Sequence, residues 1–253
     1  MKYYGKLVEL GCFSREDVIA LTGTEAAAHS LLRDYLRKGL IERVRRDFYA
    51  VISIETKQPI PTRYQIGSQI FADAFISHHS AFEYYGCSNQ VLYEVYVTSN
   101  SRFQDFEFDG VSYCRVASKG RMIPALSEGV RVTDIERTVV DSINDFEKIA
   151  GVEETVRCIS LIPTLDAAKL LEALDVYDNG FLYQKCGWLL EGLRNVIDLP
   201  DDFFKECRRH ISKSKKYLTR ERRNFVLHEV WSLYAPADVS ILLNKGTADY
   251  DAV

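Results

Sequence analysis

Cysteine is scarce and scattered in this chain. The six cysteines stand at 12, 87, 114, 158, 186 and 207, never closer than 21 residues apart. Without a CxxC pair or a local Cys/His cluster, the spacing argues against a zinc site and predicts no metal or other cofactor. Isolated cysteines among apolar neighbours read as core residues of a reducing compartment, so the expectation is a cytoplasmic protein without disulfides. No apolar run approaches the roughly 18 uncharged residues of a membrane helix. The opening MKYYGKLVELGC lacks a continuous apolar h-region, which points away from export. A Gly-rich phosphate loop, a dinucleotide fingerprint and a Gly-x-Ser-x-Gly elbow are all missing from the sequence. Enzyme motifs are therefore absent, and the expectation is a protein that binds without catalysing.

What is present is an ordinary core and an uneven charge. Apolar residues make up 47% and charged residues 27% of 253, enough for a sizeable core and more than one domain. Residues 1–52 hold nine Lys/Arg against seven Asp/Glu, and residues 205–223 hold nine against two. The net charge is only −4, so the remaining residues carry −13. Two basic stretches on an acidic body suggest local anion-binding surfaces.

The N-terminal pattern is specific. A short helix over 2–10 ends at Gly11, and Ser14 with Asp17 forms a capping box for a second helix that Gly23 stops. Thr24 caps a longer helix to Lys38, in which Ala27/Ala28, Leu31/Leu32 and Tyr35/Leu36 recur as one buried stripe. Two short strands, 41–44 and 48–51, flank a turn at Arg45-Arg46-Asp47. Helix, helix, Gly-containing turn, longer helix and hairpin make a winged helix-turn-helix. If the stripe is buried, Glu25, His29, Ser30, Arg33 and Arg37 face outward. A helix of this width fits the major groove of double-stranded DNA, with Thr24, His29, Ser30 and Arg33 nearest the base edges. Arg43, Arg45 and Arg46 at the wing are placed for phosphate or minor-groove contacts. A balance of +2 is small for one copy, so a homodimer on paired half-sites is expected.

Beyond it the expected fold class is α+β, with an α/β part and then a mostly helical C-terminal part. The domains drawn are the winged helix at 1–52, a linker at 53–62, an α/β domain at 63–163, a helical part at 164–243 that includes the basic segment 205–223, and a tail at 244–253. Asp109-Gly110 between apolar runs signals a type I′ hairpin. Thr133 and Glu136 look like a second capping box.

Here the residues resemble a known family. RKGLIERVRRDFYAV, ISHHSAFEYYG, VRVTDIERTVVDSI and CGWLLEGL are similar, in order, to segments of AbiEi-type antitoxins, regulators of abortive-infection toxin–antitoxin systems. The resemblance spans residues 14–193. It implies a transcriptional autorepressor that binds repeats in its own promoter, and a larger C-terminal domain that counteracts a nucleotidyltransferase-like toxin. Members often carry glycine at the wing tip where this chain has Arg46-Asp47, and 205–223 maps onto no family motif.

Three other constellations compete. Asp134, Glu136 and Asp141 resemble a Mg²⁺-holding cluster of a nuclease. Their positions equally suit a helix N-terminus and an Asp141–Arg137 pair four residues apart. Adjacent His78 and His79 point about 100° apart on a helix, so one is expected packed and the other exposed. Lys213, Lys215 and Lys216, with Tyr217 able to stack, make a candidate second nucleic-acid surface; the alternative is a solvated face. A protein-interaction module that docks a partner without specific DNA binding is the alternative for the whole chain.

Overall fold

The structure is a computed structural model that describes residues 2–120, 124–221 and 224–244, with an α+β fold in two compact units. The first unit comprises Met1–Ile76, Leu92–Ser118 and Pro124–Val132. It begins with α1 (Tyr4–Leu10), β1 (Cys12–Ser14), α2 (Arg15–Thr22), α3 (Glu25–Arg37), β2 (Ile41–Arg45) and β3 (Phe48–Val51). Local chemistry sets these boundaries. Ser14 Oγ accepts from the Asp17 amide while Asp17 accepts from the Ser14 amide, satisfying two donors that the helix leaves open. Gly23 ends α2 at φ 86, a conformation that costs glycine nothing. Thr24 then caps α3 by accepting from the Ala27 amide at 3.2 Å.

Burial follows the expected stripe only in its centre. Ala28, Leu32 and Tyr35 enter the core with Leu7, Phe13, Val18, Ile41 and Tyr49, whereas Ala27 is exposed and Leu31 and Leu36 are half-buried. The strands form a three-stranded sheet in the order β1-β3-β2. The sequence pattern gave the hairpin but not β1.

The stretch 53–62, read as a linker, is a closed loop inside this unit. The Ser53 amide donates to Gln58 O at 2.9 Å and the Ile60 amide to Val51 O at 2.8 Å. It leads into α4 (Arg63–Gln69) and a six-stranded sheet ordered β6-β7-β5-β4-β9-β8. Its strands are β4 (Phe75–Ile76), β5 (Glu94–Ser99), β6 (Phe106–Phe108), β7 (Val111–Ala117), β8 (Ala125–Ser127) and β9 (Val130–Val132). Asp109 and Gly110 take φ 51 and 71 at the β6–β7 turn, as a type I′ turn requires.

The second unit comprises Ser77–Val91, Lys119–Ile123 and Thr133–Val253. Its helices are α5 (His78–Tyr84), α6 (Ile135–Asn144), α7 (Val152–Ser160), α8 (Ala167–Tyr177), α9 (Gly180–Gly192), α10 (Asp201–His210) and α11 (Ser240–Asn244). Strands β10 (Lys216–Tyr217), β11 (Val226–His228) and β12 (Leu233–Ala235) add a small sheet ordered β10-β12-β11. That sheet corrects the helical expectation for the basic segment: strands of two or three residues leave no period to read. The cap of α6 also shifts by one residue. Asp134, not Thr133, accepts from the Arg137 amide at 2.7 Å, and Thr133 Oγ1 is engaged with Thr138 Oγ1 in the interior. The core of this unit runs along α9, where Trp231 lies over Gly187. No helix of the described residues is long and apolar enough to cross a membrane. The tail from residue 245 onward, and Arg222 and Arg223 of the basic segment, lie outside the described residues.

Candidate nucleic-acid interface

Helix α3 presents the face that its sequence periodicity implies. Thr24, Glu25, His29, Ser30, Arg33 and Arg37 are exposed, opposite the buried Ala28, Leu32 and Tyr35. Beside them runs a groove of about 580 Å³ lined by Ser30, Arg33, Asp34 and Arg37 from α3, and by Tyr3 and Thr22 from the preceding segments. Tyr3 and Thr22 were not read as site residues. Tyr3 is tied to α3 by its amide donating to the Tyr35 hydroxyl across 32 positions, which no local pattern reveals, whereas Thr22 lies at the end of α2 with its hydroxyl on Val18 O and Thr24 O.

Charge on this face is graded. Asp34 takes Lys38 at 2.6 Å and Arg37 at 2.8 Å, and these hydrogen bonds, Lys38 foremost, hold its carboxyl below the usual range. Arg37 is thus half-compensated. Among the described residues no ion pair to Arg33 is formed, which leaves it the more available cation of the helix.

The wing separates the three arginines that the sequence grouped. The register passes from Arg43↔Tyr49 to Arg45↔Phe48, so Val44 is an extra residue in a β-bulge. Side chains alternate along a regular strand, and one inserted residue inverts the phase. Arg43 and Arg45 therefore no longer share a face. Arg43 lies over the Tyr49 ring at 5.8 Å and is exposed. Arg46, at the tip beside Asp47, is 94% exposed. Asp47 adopts φ 58, the left-handed conformation that Asp tolerates in place of glycine. Arg45 instead turns inward. Its guanidinium sits 4.5 Å from the Phe71 ring centroid, 5.7 Å from Phe103 and 6.0 Å from Phe106. Burial there lowers its pKa and leaves Nη1 without a hydrogen-bond partner.

Residues 9–52, the α2–α3–wing segment just described, match the family model of a transcriptional regulator, the AbiEi antitoxin. The Rv2827c protein from Mycobacterium tuberculosis, known from a crystal structure, is similar in fold to this chain. It gives a TM-score of 0.59 at 14% identity over 92% of this chain and 88% of that one. No curated protein matches the chain.

The remaining candidates lie elsewhere. Asp134 caps α6, Glu136 Oε1 accepts from the Asp166 amide at 2.9 Å, and Asp141 is buried between Arg137 and the Tyr177 hydroxyl. Each carboxylate is committed to a separate packing contact. Lys213, Lys215, Lys216 and Tyr217 are exposed on and before β10; Lys215 reaches Glu229 at 3.3 Å and Tyr217 stacks on Tyr234 at 4.6 Å. In the helical half of the basic segment, Lys205, Arg208 and Arg209 each pair with a carboxylate. Contrary to the sequence reading, His78 and His79 are both buried, at 4% and 0% exposure. The chain enters α5 through His78 at φ 53, so the regular 100° offset assumed for the pair does not apply to it.

Proposed function

We propose that the protein is a DNA-binding transcriptional autorepressor and antitoxin, and not an enzyme. The observation that carries this reading is the outward row of α3, Thr24, His29, Ser30, Arg33 and Arg37, flanked by exposed Arg43 and Arg46. In this reading α3 enters the major groove with Ser30 and Arg33 near base edges, and Arg43 and Arg46 hold phosphates. The AbiEi-type domain supports the regulator role, and bound promoter repeats would block transcription of the protein's own operon. Counteraction of a nucleotidyltransferase-like toxin belongs to the same reading, as does a homodimer on paired half-sites. The exposed Lys213 and Lys216, with Lys215, support a second backbone contact.

Fluorescence anisotropy with the upstream DNA of the gene, beside a scrambled duplex, tests it at two salt concentrations. Preference for the native sequence and a steep loss with salt are expected. Equal binding to both duplexes refutes sequence-specific regulation. Lys213→Gln, Lys215→Gln and Lys216→Gln together should flatten the salt dependence; an unchanged slope removes the second surface from this reading.

A further inference from the structure

The second unit gathers three metal-ligand side chains that the sequence keeps far apart. His79 and Glu83 stand four apart on α5, and Glu154 and Cys158 four apart on α7, so each pair shares a helix face. His79 Nε2 lies 3.6 Å from Glu154 Oε1, and Cys158 Sγ lies 3.4 Å from the same oxygen. The three donor atoms all fall within 4.8 Å of one another. His79 and Cys158 are fully buried and Glu154 is 3% exposed. The Ser88 hydroxyl closes the group at 3.2 Å from His79 Nε2 and 3.4 Å from Glu154 Oε1.

We propose that His79, Glu154 and Cys158 bind a divalent transition-metal ion, zinc by preference, with the Ser88 hydroxyl or a water as fourth ligand. A tetrahedral zinc with ordinary Zn–N, Zn–O and Zn–S bonds holds its ligand atoms about 3.3–3.6 Å apart. The two separations to Glu154 Oε1, 3.6 and 3.4 Å, already meet that; the third, between His79 and Cys158, lies within 4.8 Å and closes by a side-chain adjustment of about 1 Å as both turn onto the ion. Imidazole, carboxylate and thiolate together form a borderline-soft donor set, which suits zinc and cobalt and not magnesium or calcium.

The surroundings are those a metal site uses. Glu83 Oε1 lies 3.4 Å from His79 Nδ1, a nitrogen otherwise without a hydrogen-bond partner, and so orients the ring with Nε2 toward the site. Arg157 holds Glu154 Oε2 at 3.1 Å, which directs Oε1 inward. Charge balances as well. With two protons, on imidazolium and thiol, the group of Glu83, Glu154, His79, Cys158 and Arg157 is neutral. One divalent cation in place of those protons leaves it neutral, so binding exchanges charge without creating any in the interior. Such a closed site would pin α5 to α7 structurally.

The test is cobalt titration of the purified full chain, independent of DNA binding. One Co²⁺ per chain with a thiolate-to-cobalt charge-transfer band, displaced by Zn²⁺, is expected. Cys158→Ser should abolish the band, and Glu83→Gln should keep it while weakening binding about 10–100-fold. Should a variant fail to fold, the wild type still decides. Peptide-resolved alkylation in mild denaturant must show zinc protecting Cys158 above the other cysteines. Absence of the band in folded wild type, its survival in Cys158→Ser, or equal Cys158 labelling with and without zinc overturns the site.

Discussion

The sharpest consequence of the wing bulge concerns two neighbouring arginines. Arg46 is exposed at the tip, whereas Arg45 is held over Phe71, Phe103 and Phe106. Replacing each by alanine should therefore move different observables. For Arg46→Ala, one phosphate contact fewer flattens the dependence of log affinity on log salt by about 0.9 per bound copy, and folding is unchanged. For Arg45→Ala, the largest loss is a partly desolvated cation–π contact of about 2 kcal/mol. Lost packing of the aliphatic stem adds about 1 kcal/mol. Removal of the unpaired buried Nη1 returns about 1 kcal/mol. The net is a destabilisation of about 2 kcal/mol, or a fall in Tm of about 4–8 °C. Thermal unfolding and anisotropy over a salt series, on the same preparations, measure both. If Arg45→Ala flattens the salt slope as much as Arg46→Ala and leaves Tm unchanged, the inward placement of Arg45 is wrong.

Four further outcomes follow from the same contacts. Arg33→Ala should cost about 1–3 kcal/mol of binding to the preferred duplex and relax specificity at one base pair, read by competition with single-base variants. A uniform loss across those variants would make it a phosphate contact instead. Asp141→Asn strands a buried Arg137 and should destabilise by about 3–5 kcal/mol in urea melts; a Mg²⁺-dependent nuclease activity that this change abolishes without loss of stability would reverse the structural reading of Asp141. Gly187→Ala would put a methyl 2.1 Å from Trp231 Cζ3, and at least 1–3 kcal/mol of overpacking cost should appear as a lower denaturant midpoint. Finally, burial pushes the Cys12 and Cys207 thiols from 9.0 up to about 12, and raises Cys186 further. A pKa raised on folding confers stability that is present below 9 and lost as pH climbs toward the folded value. Through these three thiols, stability should fall from about pH 9 by up to about 4 kcal/mol per pH unit. Lys185, depressed to about 8 by burial, opposes that fall by one proton between 8 and 10.5, so Lys185→Met should steepen the alkaline limb.

Legibility in this chain tracks how local the deciding interaction is. Ser14 with Asp17, Thr24 with the Ala27 amide, and Asp109-Gly110 are settled within four residues, and each is formed as its sequence implies. The exposed row of α3 needs only the helical period and one buried stripe. The rest is decided by partners that the period cannot name. Cys12–Ser14 becomes a strand because β3 offers it an edge, and Tyr3 reaches the α3 groove because Tyr35 takes its amide. Thr133 and Asp134 are both capping types with Asp the stronger, and Thr138 draws the Thr133 hydroxyl into the interior, which leaves the cap to Asp134. Arg45 joins the two cases. Its place beside the wing turn is evident from residue order, but its direction depends on a single inserted residue opposite β3 and on three phenylalanines 26 to 61 positions further on. A strand pattern fixes a side chain's face only while the register is unbroken, so a bulge at the wing turns one of three apparently equivalent exposed cations into a packing residue.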